Sequence, residues 1–136
     1  MRPFGKLEDR RSVEAIALGD PQGLQVEVLT YGAILHRLTF PVRGARRDLI
    51  LSLPTLEHYV HDRAYVGALV GRFGNRIANA RFSVEGRELA VTANEGVNHL
   101  HGGAKGFDKV VWKAEPFKNA DAVGIVFTHT LSLIHI

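Results

Sequence analysis

Arg81-Phe82-Ser83-Val84-Glu85-Gly86-Arg87-Glu88-Leu89-Ala90-Val91 reads as two short runs broken by a Glu-Gly pair. A two-residue break with glycine second suits a tight hairpin turn that needs a positive φ. The same grammar recurs on both sides. Residues 25–31 alternate polar and apolar side chains and are rich in β-branched types, which predicts a half-buried strand. Gly32 and Ala33 lead into a second run, residues 34–42, which ends at an Arg-Gly loop after Pro41. Residues 48–53 form a third, closed by Pro54, and residues 110–117 and 122–130 add two more. Residues 56–60 suit a single helical turn with Thr55 as N-cap, and residues 64–70 are a run of small apolar side chains. Glycines (14) and prolines (5) punctuate these runs, with no internal repeat or low-complexity linker. Many short strands at this spacing predict an all-β sandwich or barrel.

Composition agrees. The 136 residues are 46% hydrophobic and 23% charged, ordinary for one globular domain. The formal charge is +3 and the sequence pI is near 9.5, but the basic residues are scattered from Arg2 to Lys118. Their one tight cluster, Arg43, Arg46 and Arg47, adjoins Gly44 and precedes Asp48. It predicts a solvated turn, since a nucleic-acid footprint needs a continuous basic stripe with exposed aromatics; no nucleic-acid partner is expected. Cysteine is absent, which excludes disulfides, thiolate nucleophiles and cysteine-ligated zinc. The N-terminus, Met1-Arg2-Pro3-Phe4-Gly5, runs into Lys6, Glu8, Asp9, Arg10 and Arg11 without the apolar stretch of a signal peptide. No run reaches the length of a membrane span, so the expectation is a cytoplasmic protein without a membrane partner.

Two glycine-bounded polar clusters carry candidate chemistry. The first, Gly71-Arg72-Phe73-Gly74-Asn75-Arg76-Ile77, lacks the Gly-Lys-Ser/Thr of a phosphate loop and the spacing of a dinucleotide fingerprint. It also precedes a hairpin, so no helix N-terminus is there to hold phosphate. What remains is Asn75 beside Arg76, an amide and a rigid guanidinium fork suited to several sugar hydroxyls. A capped turn with a surface arginine is the structural alternative.

The second is Asn94-Glu95-Gly96-Val97-Asn98-His99-Leu100-His101-Gly102-Gly103. Extended backbone places His99 and His101 on one face, a metal-ligand geometry that makes a cupin-like metalloenzyme an alternative. However, Asp108 is the first acid to follow, so a third anionic ligand is missing at close range and no metal is expected. His99 reads as a partly exposed strand residue. After His101 the paired glycines leave room for a ligand to approach the backbone, and an imidazole there can move a proton or donate to a sugar oxygen.

Taken in order, Gly71-Arg72-x-x-Asn75-Arg76-Ile77, Asn98-x-Leu100-His101-Gly102-Gly103 and Gly106-Phe107-Asp108-Lys109-x-x-Trp112 resemble the signature series of aldose 1-epimerases, the galactose mutarotase family. Tyr31-Gly32-Ala33, residues 48–53 and Tyr65-Val66-Gly67-Ala68 are similar too, and the resemblance runs over residues 12–130 without large gaps. It implies a galactose mutarotase-like β-supersandwich, incomplete here, with residues 1–130 the N-terminal portion of a single domain. It further implies an isomerase that interconverts the α and β anomers of free hexoses such as galactose and glucose by acid–base ring opening. No cofactor is implied, and the partner is a small-molecule sugar. Related hexose-6-phosphate epimerases carry a proline- and tryptophan-rich motif where residues 71–77 stand, which favours free sugars. By resemblance Asn75, Arg76 and His101 bind substrate, and His101 acts catalytically by donating on the ring-oxygen side. Trp112 is expected to pack in the core, and Arg72 to be structural. A non-catalytic carbohydrate-binding member of the same fold is the remaining alternative.

The family's general acid, a second histidine, and its general base, a late glutamate, lie beyond the matched region. This fragment is therefore expected to be inactive. Where the family continues into a Ser-Pro-Asp-Gly turn, the chain reads Leu131-Ser132-Leu133-Ile134-His135-Ile136. CTG-TCT-CTT-ATA-CAC-ATC encodes that peptide and resembles the mosaic-end adapter of transposase-based sequencing libraries, so residues 131–136 are expected to be a non-native tail. A sandwich short of more than half its strands would leave open edges and an uncovered apolar face, which invite aggregation.

Overall fold

The structure, a computed structural model, describes residues 1–131. Its main body is an antiparallel meander of five strands, β1 (Arg2–Lys6), β2 (Ser12–Gly19), β3 (Gln25–Leu29), β4 (Leu35–Val42) and β5 (Ala45–Asp48). Period-two alternation sorts the side chains: Ile16 pairs with Val28 on one face, and Ala15 with Leu29 on the other. On that second face Val13, Ala15, Leu29, Tyr31, Ile34, Leu56 and Tyr59 form the buried core. Val13 and Leu29 are fully enclosed, and such burial stabilises by about 1.5–3 kcal/mol per side chain.

The helix α1 (Leu56–His61) contributes Leu56 and Tyr59 to this core. Thr55 caps it as the sequence predicts, its hydroxyl accepting the His58 N–H at 3.4 Å. Lys109 Nζ donates to the carbonyls of Tyr59 and Asp62 at 3.1 and 3.0 Å, occupying acceptors that a helix end leaves open. Asp62 then accepts the N–H groups of Ala64 and Val66 at 2.9 and 2.8 Å and turns the chain away from the helix.

A buried polar chain ties these layers together. The Leu53 N–H donates to the Tyr59 hydroxyl at 3.0 Å, which leaves the phenol hydrogen for His36 Nδ1 at 2.8 Å. Glu27, gripped at two points by Arg2, stands 3.7 Å from His36 Nε2. Burial pushes the His36 imidazole below its usual range, against the opposing pull of Glu27.

Downstream lie β6 (Arg76–Ile77), β7 (Arg81–Val84), β8 (Arg87–Ala90), β9 (His99–Leu100), β10 (Lys113–Lys118) and β11 (Val123–Thr128). They pair as β6–β9, β7–β8 and β10–β11, three two-stranded pieces. β7–β8 is the hairpin read from residues 81–91. Its turn residues Glu85 and Gly86 sit at φ 50° and 78°, the left-handed pair that matches strand twist. The all-β class stands, but among the described residues no second large sheet covers the meander. The chain exposes 9511 Å², whereas a compact protein of this mass exposes about 7,000 Å².

Several boundaries differ from the sequence reading. Of residues 48–53 only Asp48 lies in a strand, as the last residue of β5. The Arg-Gly loop is itself a tight turn, with Arg43 and Gly44 at φ 51° and 82°, and β5 follows at once. The arginine cluster is the exposed turn that the sequence predicts, with Arg43 in the turn itself and Arg46 and Arg47 exposed on the strand that leaves it. Arg46 lies on β5 and donates to the Pro21 carbonyl at 2.6 Å, the Gly23 carbonyl at 3.1 Å and the Thr39 hydroxyl at 3.0 Å. Residues 64–70, read only as a run of small apolar side chains, lie outside any strand, with Tyr65 and Gly67 in left-handed backbone. β2 escapes an alternation test because the adjacent residues Ala15 and Ile16 are both buried. Of the expected tail, residues 132–136 lie outside the described residues.

Candidate functional site

The site forms where a short ladder and one side-chain bond hold two loops together. β6 runs antiparallel to β9, with Arg76 opposite Leu100 and Ile77 opposite His99. One residue further, the His101 N–H donates to the Asn75 carbonyl at 3.1 Å, and the Asn75 N–H donates to His101 Nδ1 at 3.0 Å. Asn75 and His101 both take left-handed backbone, φ 62° and 48°, so regular pairing stops here. A backbone N–H can only donate. Nδ1 therefore offers its lone pair, and the neutral imidazole carries its hydrogen on Nε2.

The ring is also held from its side. Tyr65 stands edge-on to it with centroids 4.7 Å apart, and the Tyr65 hydroxyl lies 3.4 Å from Asn94 Nδ2. Asn94 in turn clamps Leu100, accepting its N–H at 2.7 Å and donating to its carbonyl at 2.9 Å. Arg76 is exposed, and its Nε and Nη2 donate to Glu95 Oε2 and Oε1 at 2.6 and 2.5 Å. That grip holds the Glu95 carboxyl below its usual range and the Arg76 guanidinium above. The Asn75 carboxamide is exposed and engages no protein partner among the described residues. Asn75, Arg76 and His101 are thus brought together on one open surface. Concavities of about 190 and 510 Å³ lie elsewhere, over β3–β4 and beside α1.

Three expectations about the second cluster are overturned. His99 is 4% exposed rather than partly exposed, because its Nδ1 bonds the Thr92 carbonyl at 2.7 Å and the ring is drawn inward against Phe73. It does not share an extended face with His101, whose backbone has left the β region. Among the described residues no three His, Cys, Asp or Glu side chains converge, so the cupin-like donor set is not built here. The glycines after His101 do not open a path for a ligand either. A Cβ on Gly102 would fall 1.7 Å from the Gly71 carbonyl oxygen, and one on Gly103 2.9 Å from the His99 ring. They admit the first loop and the buried histidine.

The third motif is structural. Lys109 serves the helix end, and Asp108 is buried, with burial pushing its carboxyl up. Trp112 is half-buried, edge-on to Phe107 at 5.3 Å, and its indole N–H donates to the Phe107 carbonyl at 3.2 Å. Arg72 is exposed. Sequence reasoning passed over Tyr65, Asn94 and Glu95 as site residues. All three lie in stretches already singled out, but their partners are 36, 29 and 19 positions away, which spacing does not disclose.

An antiparallel β fold that presents an amide, a guanidinium and an oriented imidazole together sets the class. The chain belongs to the aldose 1-epimerase family, whose profile matches residues 14–133. It is 38% identical to the maltose epimerase of Levilactobacillus brevis over 122 residues, covering 90% of this chain and 36% of that protein. It is 39% identical to the galactose mutarotase of Bos taurus over 109 residues, covering 79% of this chain and 32% of that protein. The crystal structure of galactose 1-epimerase from Lactobacillus acidophilus superposes with a TM-score of 0.77 at 29% identity, covering 91% of this chain and 36% of that one. The chain thus spans about a third of the length of the curated relatives it matches. Among the described residues no helix is long and apolar enough to cross a membrane.

Proposed function

We propose that the full-length protein is a cytoplasmic aldose 1-epimerase that opens and recloses the ring of a free aldose such as galactose or glucose, without a cofactor. Ring opening needs a proton removed from the anomeric hydroxyl and one delivered to the ring oxygen. The observation that carries the reading is the Asn75 N–H bond to His101 Nδ1, which leaves Nε2–H as a donor of fixed tautomer. Such a donor stabilises charge as it develops on the ring-oxygen side. Asn75 and Arg76 supply hydroxyl contacts beside it. The proton-transfer pair comes, on this reading, from the part of the family's length that these residues do not span, and each such group accelerates by about 10²–10⁴-fold. Residues 1–130 then form the N-terminal portion of one domain, and residues 131–136 a non-native tail.

Polarimetry on freshly dissolved α-D-glucose and α-D-galactose with the full-length protein tests the proposal. Mutarotation faster than buffer supports it. Sugar binding without turnover selects a non-catalytic carbohydrate-binding member, and neither binding nor turnover overturns the sugar reading. Long-read sequencing of the source locus tests the tail: a genuine stop codon directly after Ile136 overturns that part.

A further inference from the structure

We propose that Glu95 is the positioning and selectivity residue of this site. Its two-point grip fixes the plane of the Arg76 fork and cancels its charge, so that the site accepts neutral polyols and turns away anionic sugars. The inference rests on the sugar-binding reading above.

The geometry is specific. Glu95 takes the Nε–Nη2 edge of the guanidinium at 2.6 and 2.5 Å. Three of the five N–H donors of the fork stay free for hydroxyl oxygens, in a plane that can no longer rotate. The carboxylate's carrier is itself anchored. The N–H groups of Asn94 and Glu95 both donate to the Asn98 carbonyl, at 3.0 and 3.1 Å, and the Asn98 N–H returns to the Glu95 carbonyl at 2.9 Å. The Asn98 side chain accepts the Asn79 N–H at 3.1 Å, which ties this reversal to the loop carrying Asn75 and Arg76.

Stability does not explain the pair. The two side chains are 56% and 37% exposed, and ion pairs in that setting contribute little to folding. Pre-orientation does explain it, because a long arginine on an open surface otherwise loses its rotamer freedom only when substrate binds. The charge argument is independent. An anionic ligand approaching Arg76 meets the Glu95 carboxylate on the same fork. The Tyr65 phenol, raised chiefly by burial, also feels the Glu95 carboxylate, and its ring packs edge-on against His101, so Glu95 fronts the same site.

The test compares Glu95→Gln and Glu95→Asp with the wild type, all full-length, in polarimetric kinetics on α-D-galactose with glucuronate as anionic competitor. Gln keeps the size and loses the charge; Asp keeps the charge but is too short for the two-point grip. Both variants are expected to raise KM several-fold, with a smaller change in kcat, as loss of binding in the ground state requires. Only Glu95→Gln should bind glucuronate more tightly, by about fivefold at low salt, the effect of one unit charge at about 4 Å in water, and salt should erase the gain. The inference is overturned if Glu95→Gln matches the wild type in both KM and glucuronate inhibition, or if Glu95→Asp gains glucuronate affinity equally. Those outcomes, with an active wild type, leave the proposed function standing. A wild type that neither binds nor turns over hexoses removes both.

Discussion

Asparagine and glutamine divide the two nitrogens of His101 between them. In His101→Asn the amide oxygen can stand where Nδ1 stands, still accepting the Asn75 N–H that now lies at 3.0 Å, but nothing replaces the Nε2 donor. In His101→Gln the amide nitrogen reaches toward the Nε2 position, while the bond to Asn75 is lost. If the fixed Nε2–H stabilises charge on the ring-oxygen side, the Asn variant loses a transition-state donor, and kcat should fall about 10²–10³-fold, or about 2.7–4 kcal/mol. The Gln variant loses only an orienting bond at an exposed position, worth about 0.5–1.5 kcal/mol, so a fall of about two- to tenfold is expected. Polarimetry on α-D-galactose with the full-length protein, at substrate concentrations above and below KM, reads both. The reasoning is refuted if the Asn variant retains as much kcat as the Gln variant, since Nδ1 rather than Nε2 would then be the nitrogen that matters.

Tyr59→Phe should strand the Leu53 N–H and His36 Nδ1 together, costing about 2–4 kcal/mol in urea unfolding of the full-length protein; a loss below about 0.5 kcal/mol would show that the buried chain is not formed. Because burial lowers the folded-state pKa of His36, the unfolded chain binds more protons, and its contribution to stability should fall as pH drops from about 6.5 through the depressed value. His36→Leu should flatten that part of a pH–stability curve. Gly102→Ala should abolish the site, since φ 96° and a Cβ 1.7 Å from the Gly71 oxygen leave it no place; unchanged sugar binding by the full-length variant would contradict this. The 136-residue chain alone should not accelerate mutarotation in the same polarimeter.

Much of the fold was legible because it is written locally. The Glu85-Gly86 turn, the Thr55 cap and the strand around residues 25–29 each depend on neighbours within a few positions. The arginine cluster was legible as an exposed turn, but not the acceptors of Arg46 at Pro21 and Gly23, which lie across the sheet. His99 misled because its inward pull comes from the Thr92 carbonyl and Phe73, and an exposed polar strand residue looks identical in sequence. At the site, Asn75, Arg76 and His101 were visible as residue types with suitable chemistry. The order among them was not, because it comes from a backbone N–H of one loop meeting a ring nitrogen of the other.

The surplus surface has a further meaning. An excess of about 2,500 Å² on one chain over a compact protein of this mass corresponds to about 5,000 Å² counted over two partners, the scale of large obligate subunit interfaces. Exposed Leu51, Phe117 and Val126 are the kind of side chains such an interface covers. A polypeptide carrying the rest of the family's length, produced separately, would meet this chain as one subunit meets another.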